Sequence, residues 1–101
     1  MNPEFLNSIV LITSNDPENR RFGTGFVIHH SLERKISYVL TCAHVISECD
    51  KENKGGAKID GKPRGMAYFT YQAPDLAIVQ TEQLLDRPVV KLGTYGSIGA
   101  P

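Results

Sequence analysis

Two side chains in this sequence carry the chemistry needed to move a proton during a reaction, His44 and Asp75. Imidazole as a side-chain type takes up and returns a proton near neutral pH, so a histidine fixed at a rigid strand end is suited to act as a general base. His44 sits in such a place: Tyr38-Val39-Leu40-Thr41-Cys42-Ala43-His44-Val45-Ile46 is a strand-forming apolar run that ends in a corner of small residues. Asp75 precedes the apolar run Leu76-Ala77-Ile78-Val79, where a carboxylate is held at a strand mouth beside low-dielectric packing. A buried carboxylate can fix an imidazole tautomer and stabilise the imidazolium. Taken alone, a histidine after a strand is more often a packed or capping residue, and an aspartate after proline is more often a turn former.

The remaining reactive side chains form weaker patterns. Cys42, His44 and Cys49, with His29 and His30 nearby, offer sulfur and nitrogen donors, but they lack the paired Cys-x-x-Cys knuckles or His-x-x-x-His helix face of zinc sites. No metal and no cofactor is expected. Cys42 lies two residues before His44 on an emerging strand, so the two side chains are not expected to face a common substrate atom. Two cysteines permit one bridge, but nothing else suggests a disulfide scaffold, and free thiols are expected.

Positioning His44 and Asp75 requires strands. Short β-branched and aromatic runs recur between polar, glycine-containing breaks, which predicts an all-β barrel or sandwich. Strands are expected at Ser8 to Thr13, Gly23 to His29, Ser37 to Thr41, Gly56 to Asp60, Gly65 to Tyr71 and Leu76 to Thr81. A short helical turn is expected around Ala43 to Ser47, and Asn15 to Asn19 reads as a hairpin loop. The polar stretch Cys49 to Gly56 is expected to be a mobile loop overhanging the cleft. Tyr68, Phe69 and Tyr71 are expected to divide between core and surface by strand alternation. Arg87 to Gly93 reads as a final extended segment, and residues 94–101 as a glycine-rich linker.

A chain of 101 residues is one domain, able to bury roughly 60 to 70% of its unfolded surface. Eleven basic and eleven acidic residues cancel, leaving no field to hold nucleic acid or an anionic membrane. The apolar runs are short and the N-terminus has no secretory pattern, so a soluble, cytoplasmic protein is expected, with no nucleic acid or membrane partner.

Gly23-Thr24-Gly25-Phe26-Val27-Ile28, Leu40-Thr41-Cys42-Ala43-His44-Val45 and Asp75-Leu76-Ala77-Ile78-Val79 occur in an order that resembles the N-terminal half of a trypsin-like (chymotrypsin-fold) serine peptidase, over about residues 8–92. The resemblance implies a six-stranded antiparallel β-barrel over residues 1–93, one half of a double barrel, with His44 as catalytic base and Asp75 as its orienter. It places their polar atoms within about 2.6 to 3.2 Å or one water of each other. It also implies hydrolysis of a polypeptide substrate through an acyl-enzyme, with the serine nucleophile and oxyanion hole on a second barrel that this chain lacks. Ser97, in Gly96-Ser97-Ile98-Gly99, lacks the acidic residue before it and the second glycine after it, and is assigned to a loop. At the Cys42 position the family usually carries a small buried residue, so an inert thiol is expected there. Secreted animal members commonly have a cysteine directly after the histidine; Val45 stands there instead, which fits a bacterial-type intracellular member. The absence of an Ile-Val-Gly-Gly type start implies an unprocessed, constitutive or partner-regulated enzyme. The fragment alone is expected to be inactive and to expose an apolar patch on the face bearing His44 and Asp75. The alternative is a non-catalytic peptide-binding or scaffolding barrel whose triad residues are vestigial.

Overall fold

The computed structural model describes residues 7–50 and 56–90. Six strands and one helix follow one another as β1 (Ile9–Ser14), β2 (Phe22–Ser31), β3 (Ile36–Thr41), α1 (Ala43–Cys49), β4 (Ala57–Ile59), β5 (Arg64–Tyr71) and β6 (Leu76–Thr81). The strands close into a single antiparallel barrel in the order β1-β2-β3-β6-β5-β4, with β4 returning to β1. Among the described residues the fold is all-β with one short helix between strands, and the all-β class is the one the strand pattern predicts. The strand from Leu76 to Thr81 has the expected bounds, and each of the others differs by one or two residues at one or both ends.

Alternation builds the core. Val10 and Ile12 of β1, Val27 of β2, Val39 of β3, Ile59 of β4, and Ala77 and Val79 of β6 all point inward and are essentially inaccessible to water. Burying such a valine or isoleucine contributes about 1.5–3 kcal/mol relative to leaving it exposed. Ala43, Val45, Ile46 and Cys49 of α1 join the same cluster, so the helix lies against the barrel rather than projecting from it. Gly23 makes that approach possible: a Cβ there would stand 2.6 Å from Val45 Cγ1. The residue that puts His44 on the barrel is therefore partly a glycine on another strand.

The Asn15 to Asn19 turn forms as expected and is tied by its own side chains. Asp16 N–H donates to Ser14 Oγ, Glu18 N–H to Asp16 Oδ1, and Arg21 N–H to Asn19 Oδ1. At the barrel's other end a buried polar network anchors the segment after β6. Ser37 N–H donates to Thr81 Oγ1 at 2.9 Å and Leu85 N–H donates to Ser37 Oγ at 2.9 Å. His30 Nε2 lies 2.7 Å from the Arg87 carbonyl, which only accepts, so Nε2–H donates and Ser37 Oγ–H donates to Nδ1, also at 2.7 Å. Val90 N–H then donates to the Val27 carbonyl. Over its described part the expected final extended segment, Arg87 to Gly93, is not a strand; it is held by these isolated contacts.

Two expectations need correction, and others fall outside the described residues. Cys49 is not in a polar loop: it is the last residue of α1, buried, with its thiol toward the Ile12 and Arg21 carbonyls at 3.8 and 3.6 Å. Residues 51–55 of the expected overhanging loop lie outside the described residues, and so do the expected linker 94–101 and Ser97. Tyr68, Phe69 and Tyr71 do not divide between inside and outside; all are exposed, at 61%, 46% and 54%. A register shift between Ala67 and Phe69 breaks the alternation of β5, whose single buried residue is Gly65.

Candidate active site

β3 ends at Thr41, whose Oγ1–H donates to the Thr24 carbonyl at 2.7 Å and ties the strand end to β2. The chain then turns directly into α1, whose N-cap residue is Cys42 in an extended conformation. A cysteine offers no side-chain oxygen to cap the first turn, and none of its own side-chain caps is made. The missing cap comes from 31 residues away: His44 N–H donates to Asp75 Oδ1 at 2.9 Å. The pairing of β3 with β6, which sets Thr41 opposite Ala77, fixes this approach, because Asp75 is the last residue of the β5–β6 turn.

The other carboxylate oxygen, Asp75 Oδ2, lies 2.5 Å from His44 Nδ1. The resemblance implies hydrogen-bond reach between these two groups, and they are in contact. The hydrogen bond from the His44 ring is the largest of the effects that hold the Asp75 carboxyl below the usual carboxylate range. The His44 backbone N–H comes next, slight desolvation opposes it, and the Ala43 backbone N–H adds a little. An ionised carboxylate accepts only, so Nδ1 carries the ring proton and Nε2 keeps its lone pair. The ring is 65% exposed and the carboxylate 45% exposed, so nothing described covers them. An imidazole held in this way can accept a proton at Nε2 from a group brought up to it.

Cys42 is the residue the sequence reading misplaces. It is half-buried rather than buried, and its Sγ, a His44 ring nitrogen and an Asp75 carboxylate oxygen all lie within 4.8 Å of one another. The turn from β3 into α1, with Cys42 as its N-cap residue, brings the Cys42 thiol to the pair. The other donors considered with it are elsewhere: His30 is in the buried network, His29 packs on Tyr38 with ring centroids 5.8 Å apart, and Cys49 lies at the far end of α1. Burial pushes the Cys49 thiol up in pKa, and neighbouring Glu48 adds to the effect, which makes it a poor nucleophile. Both cysteines are free.

A solvent-open groove of about 700 Å³ lies at that far end, lined by Asn15, Asp16, Arg20, Arg21, Cys49 and Gly56 among others. It is at the opposite end of α1 from His44 and contains neither residue of the pair, so the chemistry does not reside there. None of the described helices is long and apolar enough to cross a membrane.

No curated protein and no solved structure shows a significant match to this chain. Residues 23–99 match the family model described as a trypsin-like peptidase domain, a span that takes in Gly23, the turn from β3 into α1, His44 and Asp75. With its closed six-stranded barrel and this match over most of its length, the chain belongs to the trypsin-like peptidase domain family.

Proposed function

We propose that this chain is the His/Asp-bearing N-terminal barrel of a serine endopeptidase that cleaves polypeptides through an acyl-enzyme. His44 is the base that takes the proton of a serine hydroxyl at Nε2 and returns it to the leaving amine, and Asp75 fixes the ring and stabilises the imidazolium. The serine and the oxyanion-hole N–H groups belong to a second barrel. The observation that carries this reading is the double hold of Asp75 on His44, through the main chain and through Nδ1.

The outer surface of the barrel supports it. Residues paired across antiparallel strands share a face, and the pairs Tyr71 with Leu76 and Phe69 with Ile78 lie outward while the next partners on β6, Ala77 and Val79, lie inward. Phe69, Tyr71 and Leu76 are exposed, and Phe69 and Tyr71 meet edge to face with centroids 4.8 Å apart. This apolar surface begins at the residue after Asp75. A contiguous exposed apolar face of this kind suits the docking of a partner domain.

A serine-directed phosphonate probe tests the proposal. This chain alone should remain unlabelled, and a longer form carrying a second barrel should be labelled at a serine of that barrel, with labelling abolished by His44→Ala. An unlabelled longer form indicates a peptide-binding or scaffolding barrel instead. Labelling of this chain that disappears with Ser97→Ala overturns the assignment of roles.

A further inference from the structure

We propose that Cys42, His44 and Asp75 form a binding site for a thiophilic divalent cation of the zinc class, and that the bound ion switches the His44 base off. The second half of this inference rests on the peptidase reading above; the binding itself does not.

Three donors of different character converge here, a thiol sulfur, an imidazole nitrogen and a carboxylate oxygen, all within 4.8 Å of one another. Sulfur with imidazole selects against magnesium and calcium, which take oxygen ligands, and suits zinc. Zinc takes such atoms at about 2.0–2.3 Å in tetrahedral geometry, which sets the ligands roughly 3.3–3.7 Å apart. The widest pair therefore has to close by up to about 1.5 Å from the 4.8 Å limit, while the His44–Asp75 pair, at 2.5 Å, has to open by about 1 Å. That adjustment falls to the side chains best able to make it, because His44 and Asp75 are both exposed while Cys42 packs on the core edge at the start of α1. Three protein ligands leave a fourth position for water.

The contrast between the two cysteines supports the assignment. Cys49 is engaged with two backbone carbonyls in the interior. Cys42 supplies no cap to its own helix, and its thiol lies with the pair.

Binding has a definite consequence for the ring. His44 Nδ1 is the nitrogen that faces Asp75. An ion that takes Nδ1 displaces the proton there, and the neutral ring keeps its proton by moving it to Nε2. The lone pair at Nε2 is then gone. The Cys42 thiol loses its proton to the buffer as the metal–sulfur bond forms and a metal-bound water leaves, with no oxidation or reduction. Asp75 Oδ1 remains on the His44 N–H, so α1 keeps its cap.

The test is titration of this chain with zinc against a chromophoric chelator, and with cobalt, whose near-ultraviolet charge-transfer band reports thiolate ligation. One equivalent should bind, with affinity lowered at least ~10-fold in Cys42→Ala and in His44→Ala, since loss of a ligand costs no less than loss of an outer partner. The cobalt band should vanish in Cys42→Ala and persist in His29→Ala. Should Cys42→Ala fail to fold, Cys42→Ser takes its place. No zinc binding at submillimolar metal, or a cobalt band that survives loss of Cys42, overturns the site. In a longer, active form, the ratio of activity without zinc to activity with it should fall toward one in Cys42→Ala; an unchanged ratio overturns the switch. A longer form inactive without any metal counts against the peptidase reading, while the titration of this chain stands apart from it.

Discussion

The Asp75 carboxylate grips His44 at two points, the backbone N–H through Oδ1 at 2.9 Å and the ring through Oδ2 at 2.5 Å. One residue therefore both caps the helix that carries the histidine and orients its ring. The cap predicts a measurable asymmetry between substitutions. Asp75→Asn keeps one acceptor oxygen, and Asp75→Ala keeps none. Amide hydrogen exchange at His44 should accelerate markedly in Asp75→Ala and less in Asp75→Asn, and equal exchange in all three proteins would show that the carboxylate does not cap α1.

Acid should weaken the same grip. The folded-state pKa of Asp75 is depressed, chiefly by the His44 ring hydrogen bond. The stabilisation it represents is thus present above the unfolded carboxyl value near ~3.9 and is lost as pH falls through the lower folded value. The melting temperature of the parent chain should exceed that of Asp75→Asn above about pH 4, and the difference should shrink below it. A difference that grows on acidification would reverse the sign assigned here.

Gly23 is predicted to be intolerant of a side chain. Its Cβ would fall 2.6 and 2.7 Å from the two γ-carbons of Val45. Gly23→Ala should cost about 1–3 kcal/mol by denaturant titration, as overpacking does, and Val45→Ala should relieve part of that cost in the double mutant. Strictly additive losses would place the clash elsewhere.

The two thiols should differ in the folded protein. Cys42 is half-buried and Cys49 is buried at 1% exposure with a raised pKa. A thiol reagent should modify Cys42 in the native state and Cys49 only after unfolding, two groups in total without reductant. Fewer than two after unfolding would indicate a bridge.

The barrel was legible because the strands alternate: Val10 and Ile12, or Ala77 and Val79, declare an inner face at a spacing of two. His44 and Asp75 were legible because each stands where an apolar run begins or ends. Cys42 was not, since its environment depends on the abrupt passage from β3 to α1 and on Asp75, which approaches from another strand. The exposure of Tyr68, Phe69 and Tyr71 was hidden by the register shift between Ala67 and Phe69, a feature of pairing that a local pattern does not carry. The role of Asp75 as a helix cap was equally out of reach, because the cap and the capped residue are 31 positions apart.

The account turns on the tautomer that Asp75 imposes on His44, and nitrogen-15 NMR of the ring reads it directly. At a pH where the ring is neutral, Nδ1 should show the shift of a protonated nitrogen and Nε2 that of an unprotonated one, and Asp75→Asn should exchange them by turning an amide donor toward Nδ1. In an active longer form the same substitution should lower kcat by about 10⁴, the cost found where asparagine in place of such an aspartate leaves the ring in the wrong tautomer. A ring protonated at Nε2 in the parent chain, or a tautomer indifferent to Asp75→Asn, would contradict the assignment of His44 as a base held by Asp75.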